Sequence, residues 1–171
     1  TVDGDTSTND SCVLMASGHS GLTIEEGSDN YARFAETMTE VCQQLAQLIV
    51  RDGEGATKFI AIEVNGGRDE AECEQVAYTI AHSPLVKTAL FASDPNWGRI
   101  LAAVGRAGVA ALDLKALSIF LGDVCIVRDG GRAADYIEEP GQAVMDRDEL
   151  TIRVELALGQ AEAVLWTRYV S

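Results

Sequence analysis

Cationic side chains are scarce in this chain of 171 residues: 13 Lys and Arg stand against 27 Asp and Glu, for a net charge of −14 and a pI near 4.4. A field of that sign repels phosphate backbones and anionic lipid headgroups, so neither nucleic acid nor a membrane surface is expected as a partner. Long apolar runs are missing too. Leu101–Val104 and Val124–Val127 are far shorter than a bilayer span, and the N-terminus is polar, without the basic-then-apolar pattern of a signal peptide. The expected compartment is the cytoplasm. Histidine occurs only at His19 and His82, both read as loop or helix-end residues, which leaves little from which to build a Ser-His-Asp or Cys-His apparatus. Cys12, Cys42, Cys73 and Cys125 form no C-x-x-C pair and have no neighbouring His, so no zinc or redox motif is supported and no metal is expected. Each cysteine is expected as a small buried hydrophobe.

What is present suits a globular domain. A hydrophobic content of 47% over this length is enough for one core, and nothing in the composition asks for a second domain. Ser28 is placed to cap a long helix in which Tyr31, Phe34, Ala35, Met38, Val41, Cys42, Leu45, Leu48 and Ile49 share one face, ended by Asp52-Gly53. Cys12–Ala16 and Lys58–Val64 read as strands, the second stopped by Asn65-Gly66-Gly67. Asp69 with Glu72 opens a helix carrying Cys73, Val76, Ala77 and Ile80, and Ser83-Pro84 opens a short one through Phe91. From Leu117 the period changes to two. Ser118–Leu121 and Val124–Val127 flank Gly122-Asp123 as a hairpin, Glu139–Glu149 is a helix or turn, and Leu150–Leu158 and Glu162–Thr167 are strands. Early alternation of helix and strand followed by a strand-rich half predicts an α/β fold, a single mixed-sheet domain packed by several helices.

Two polar stretches stand out. Asp94-Pro95-Asn96-Trp97-Gly98-Arg99 runs into an apolar segment, so Asp94 is expected to cap a helix that begins at Pro95, with an ion pair to Arg99 locking its start. Asp3 to Asp10 alternates carboxylates, hydroxyls and glycine, a composition that bonds its own backbone in tight turns. Glu54 stands between Gly53 and Gly55 in a loop where a carboxylate is ordinarily solvated. Thr1 could in principle act as an N-terminal nucleophile with its own amine as base.

These stretches also carry a resemblance. Asp3 to Asp10, Glu54-Gly55-Ala56-Thr57-Lys58, Leu85-Val86-Lys87-Thr88-Ala89 and Phe91 to Arg99 occur in this order and spacing in the ornithine acetyltransferases of arginine biosynthesis. The chain resembles most of their β subunit, from Val2 to about Tyr169. The resemblance implies an acyltransferase that moves an acetyl group from N-acetylornithine to glutamate through an acetyl-Thr intermediate, with acetyl-CoA as a second donor in some members. It implies no cofactor or metal, an α chain from the same self-cleaved precursor that supplies the oxyanion hole, and an α2β2 heterotetramer. Glu54 is then a contact for the amino acid substrate, whose cationic amine a carboxylate suits. Asp5, Thr6, Thr8 and Asn9 would support the nucleophile from behind. The family's nucleophilic Thr belongs to a Met-Ala-Thr-Met-Leu stretch upstream of the Asp-Gly-Asp motif, so Thr1 is not assigned that role and the catalytic Thr is expected outside residues 1–171. The end departs as well: Trp166-Thr167 passes at once to Arg168-Tyr169-Val170-Ser171, where the family has further residues and an Asn-containing tail. The competing readings are a related N-terminal-nucleophile amidohydrolase or aminopeptidase and a non-catalytic acidic subunit.

Overall fold

The structure, a computed structural model, describes residues 1–170. They form two compact units, one of residues 1–4 and 50–170 and one of residues 5–49.

The larger unit is built on β1, Ala56–Gly67. Ile60, Ile62 and Val64 are closed to solvent while Phe59, Ala61 and Glu63 between them are half-buried, the period of two expected for a strand with one face on the core. The chain then enters α2, Glu70–Ala81, where Asp69 Oδ1 accepts the Glu72 N–H at 2.8 Å as the spacing predicted. Glu72 does not complete a capping box. Its carboxylate accepts the Arg68 N–H at 3.0 Å and pairs with the Arg68 guanidinium. The next helix, α3, spans Pro84–Phe91 with Ser83 Oγ accepting from Val86 N, and α4 spans Trp97–Gly105. After these come the hairpin β2, Ser118–Leu121, and β3, Val124–Arg128, a two-residue strand β4, Gly131–Arg132, then α5, Glu138–Met145, and the strands β5, Glu149–Glu155, and β6, Ala161–Val170. The six strands lie in the order β4-β3-β2-β5-β1-β6. β1 runs parallel to β5, with Ile60 opposite Leu150 and Ile62 opposite Ile152, and antiparallel to β6, with Ile60 opposite Thr167. The mixed sheet packed by helices matches the predicted class.

One core holds these elements. α2 lies on β1 and β6, α3 touches β6, α4 reaches β3 and β4, and α5 packs by β2 and β3. Cys73, Val76, Ala77 and Ile80 of α2 meet Ile60, Ile62 and Val64 in a continuous apolar cluster. Each such aliphatic side chain taken from water contributes about 1.5–3 kcal/mol against the entropy of ordering the chain.

In the smaller unit, Ser28 Oγ accepts the Tyr31 N–H at 3.2 Å at the start of α1, Asp29–Arg51. The last residues of that helix, Val50 and Arg51, belong to the larger unit. The predicted strand at Cys12–Ala16 is absent: the segment is irregular, and Val13, Leu14 and Met15 are exposed. A strand needs a hydrogen-bonding neighbour, and among the described residues none pairs with it. The cysteine expectation also fails in part. Cys73 is buried and Cys125 half-buried, but Cys12 and Cys42, both in the smaller unit, are exposed. No helix of the described residues is long and apolar enough to cross a membrane.

Candidate functional site

Glu54 occupies the tip of a four-residue turn. Ala56 N–H donates to Gly53 O at 3.0 Å, and Gly55, third in the turn, has φ +67°, the left-handed value that a type II turn demands and glycine supplies without strain. The turn fixes Glu54 in an exposed position at the head of β1. Gly53 beside it lies so close to the Arg168 guanidinium that a Cβ there would overlap it. Nε and Nη1 of Arg168 are buried and find no partner among the described residues. An acid and a base of the chain therefore share this corner, the first open to solvent and the second held against backbone.

The Asp94–Arg99 stretch differs from expectation in one respect. The cap of α4 is Asn96, not Asp94: Asn96 Oδ1 accepts the Arg99 N–H at 3.1 Å, and the helix begins at Trp97 instead of Pro95. Asp94 acts one step removed, its Oδ2 accepting from Asn96 Nδ2 at 2.9 Å and so fixing which end of the amide faces the helix. The predicted ion pair to Arg99 is not formed either. The Arg99 guanidinium donates to Thr88 Oγ1 at 2.8 Å and Leu85 O at 3.1 Å, binding α4 to α3. The reason lies in the backbone. The chain makes two tight bonds, Asn96 N to Asp94 O and Trp97 N to Pro95 O, which take Asp94 to Trp97 through turns before the helix starts.

This loop borders a pocket of about 250 Å3, walled on one side by Asp94, Asn96 and Trp97 and on the other by Arg132, Tyr136 and Glu138. Gln142 of α5 donates to Ser93 O at 2.7 Å and holds the two sides together. Arg132 lies over the Tyr136 ring, 5.0 Å from its centroid, and donates to Tyr136 O at 3.0 Å. Burial, and then the Glu138 carboxylate, push the Tyr136 phenol above its ordinary pKa, so it is neutral at physiological pH.

At the other end of α2, His82 meets the first residues of the chain. Its Nε2 is 2.9 Å from Thr1 Oγ1, its ring lies against Gly4, and Lys87 Nζ donates to Val2 O at 2.6 Å. Burial, with Lys87 nearby, lowers the imidazole pKa and keeps it neutral.

With this geometry in view, the comparisons with known proteins decide the family. The ArgJ family model matches residues 1–171. The chain belongs to the ArgJ family. It is 56% identical over 173 aligned residues to the arginine biosynthesis bifunctional protein ArgJ of Pseudomonas fluorescens and 55% identical to that of Pseudomonas syringae pv. tomato. All of this chain is covered in both alignments, but only 43% of each relative, so the chain spans less than half the length of these relatives. The crystal structure of ArgJ from Bacillus halodurans superposes with a TM-score of 0.91 at 36% identity, covering 100% of this chain and 80% of that one.

Within this ArgJ-family chain, Glu54 and the Asp94 loop both lie in the larger unit, while Asp5, Thr6, Thr8 and Asn9 lie in the smaller one, in an exposed turn closed by Ser7 Oγ, which accepts from Asn9 N and Asp10 N. That turn bonds its own backbone as its composition predicted. Arg132, Tyr136 and Glu138 carried no local signal, since they reach Asp94 only through the packing of α5 against the α3–α4 loop.

Proposed function

We propose that the intact protein transfers an acetyl group from N-acetylornithine to glutamate, and that this chain contributes Glu54 to the binding of the amino acid substrate. The observation that carries the reading is the family match along the whole chain, at 55–56% identity to proteins named for arginine biosynthesis, with Glu54 presented at the tip of a fixed turn. In this reading a threonine outside residues 1–171 attacks the acetamide carbon. The C–N bond breaks, ornithine leaves with the proton, and the threonine carries an acetyl ester. The amine of glutamate then attacks the ester carbon and returns the hydroxyl proton to threonine. An α chain of the same precursor supplies the donors that stabilise the oxyanion, in an α2β2 assembly. The reaction uses no cofactor or metal, with acetyl-CoA as an alternative donor, and takes place in the cytoplasm. Glu54 receives the cationic amine of ornithine in a charge-assisted contact. Thr1 is not the nucleophile.

Purified intact protein incubated with N-acetylornithine and glutamate is expected to yield ornithine and N-acetylglutamate in equal amounts. Release of free acetate in place of N-acetylglutamate would instead establish an amidohydrolase.

A further inference from the structure

The Glu54 turn leads into the least regular end of β1. Toward β6 the ladder slips: Ala56 faces Val170 and Lys58 faces Tyr169, so Thr57 is an extra residue, a bulge of the kind that re-aims the side chains beside it. Toward β5 the ladder starts only at Phe59, which lies opposite Glu149 and donates its N–H to Asp148 O at 2.8 Å. Ala56, Thr57 and Lys58 therefore have no strand neighbour on that side among the described residues.

Two side chains take the place of the missing ladder. Lys58 Nζ donates to Met145 O at 2.6 Å and to Arg147 O at 3.2 Å, where α5 ends and its last carbonyls lack helical partners and draw a cation. Arg51, the last residue of α1, grips Glu149, with Nε on Oε1 at 3.1 Å and Nη2 on Oε2 at 3.3 Å, and its guanidinium lies over the Phe59 ring, 3.7 Å from the centroid. One anchor stands before the turn and one after it, and both reach the same short segment, residues 145–149. An exposed ion pair contributes little to stability, but a contact made at two points fixes direction. Neither cation engages Glu54, whose carboxylate pairs with none of the described residues and stays open to a ligand.

We propose that Arg51 and Lys58 are positioning residues for Glu54. By tying both flanks of its turn to the end of α5 and the start of β5, they hold the carboxylate in one place, so that little freedom is lost when it receives the ammonium of the substrate. The proposal rests on the reading of Glu54 as a substrate contact.

The test is steady-state acetyl transfer by the intact protein with N-acetylornithine as the varied substrate, for Arg51→Gln, Lys58→Met, Glu54→Gln and each of the first two combined with Glu54→Gln. Arg51→Gln and Lys58→Met should each raise KM about three- to tenfold with kcat unchanged, a part of the one to two decades that go with the contact itself. The Arg51→Gln protein should melt as the parent does. Hydrogen exchange at the Ala56 amide, bonded to Gly53 O, should quicken in both. On the Glu54→Gln background neither substitution should raise KM further, because a contact that is gone cannot be misplaced. A parent-like KM in both anchor variants, beside a raised KM in Glu54→Gln, overturns the proposal and leaves the reading of Glu54 standing. Increases that add to that of Glu54→Gln also overturn it, since the anchors would then act on something else. An unchanged KM in Glu54→Gln removes the reading and the proposal with it. Should Lys58→Met fail to fold, the exposed Arg51 carries the test alone.

Discussion

Asparagine and aspartate are ordinarily near-equal helix caps, yet at position 96 they should differ sharply. Asn96 uses both ends of its amide: Oδ1 accepts the Arg99 N–H at 3.1 Å, and Nδ2 donates to Asp94 Oδ2 at 2.9 Å. Replacing it with alanine removes the cap and should cost about 1 kcal/mol, or about 2–4 °C in melting temperature for a domain of this size. Asn96→Asp keeps the cap acceptor but replaces the donor by a second carboxylate oxygen about 3 Å from the first. Two unit charges at that separation repel by about 1.5–3 kcal/mol in a half-solvated setting, before they rotate apart. Asn96→Asp should therefore melt about 3–10 °C below the parent at pH 7, as badly as alanine or worse. The penalty should shrink on acidification, because two carboxylates that close together share a proton more readily than either alone. Asp94→Asn alone should be mild, because its amide oxygen still accepts from Asn96. The exchange of the two residues, Asp94→Asn with Asn96→Asp, restores one donor facing one acceptor and should recover most of the loss, a coupling of at least about 1 kcal/mol in a double-mutant cycle. Thermal unfolding of the four variants at pH 7 and pH 4 decides the matter. An Asn96→Asp protein as stable as the parent, or an exchange that rescues nothing, would refute the relay from Asp94 to the cap.

Glu54→Gln in the intact enzyme should raise KM for N-acetylornithine by about one to two decades, with the melting temperature unchanged, as expected for a charge-assisted contact made equally in ground and transition states; an unaltered KM would make Glu54 a solvated turn residue. Thr1→Val should remove the hydrogen bond to His82 yet leave kcat intact, and a collapse of kcat would make Thr1 the nucleophile after all. The Glu72 carboxyl is held below its ordinary pKa by the Arg68 guanidinium and then by the Arg68 N–H. Its contribution to stability is present above the unfolded-state pKa and is lost as pH falls through the folded one, so Glu72→Gln should flatten the acid limb of the stability profile below about pH 4, and an identical limb in the variant contradicts the pairing. Gly159→Ala would drive a Cβ into Gly67 O, a backbone atom that cannot swing away, and should destabilise by about 1–3 kcal/mol in urea unfolding, whereas parent-like stability would show that the β1 and β6 ends give way.

Much of this architecture was legible because the signals were local. Ser28, Asp69 and Ser83 each cap the helix that their spacing announced. The alternation in Leu150–Leu158 appears as buried Leu150, Ile152 and Val154 with Arg153 and Glu155 paired on the other face. Where the reading failed, the deciding contact was not local. Nothing in Cys12–Ala16 says whether another strand will lie beside it. At Asp94 two good capping residues stood two positions apart, and the choice between them rested on the backbone around Pro95 and on the bond between their side chains. The wall of the pocket formed by Arg132, Tyr136 and Glu138 exists only because Gln142 fastens α5 to Ser93, a contact across 49 residues. Glu54 was singled out by the motif around it, and composition alone would have passed it by.

The order of the strands also constrains how the chain folds. Among the described strands β1 comes first along the sequence, yet both its hydrogen-bonding neighbours, β5 and β6, come last. Its partners lie 90 and 107 residues downstream: Ile60 waits for Leu150 on one side and Thr167 on the other. Closing loops of that length is entropically costly and slow, since no local contact rewards the search along the way. As the chain leaves the ribosome, the helices α2 to α4 and the hairpin of β2 and β3 can form at once, while β1, with its apolar Ile60, Ile62 and Val64, lacks these two partners until β5 and β6 have emerged. The sheet therefore grows from its β4-β3-β2 side, and the far side, where β1 lies between β5 and β6, closes last.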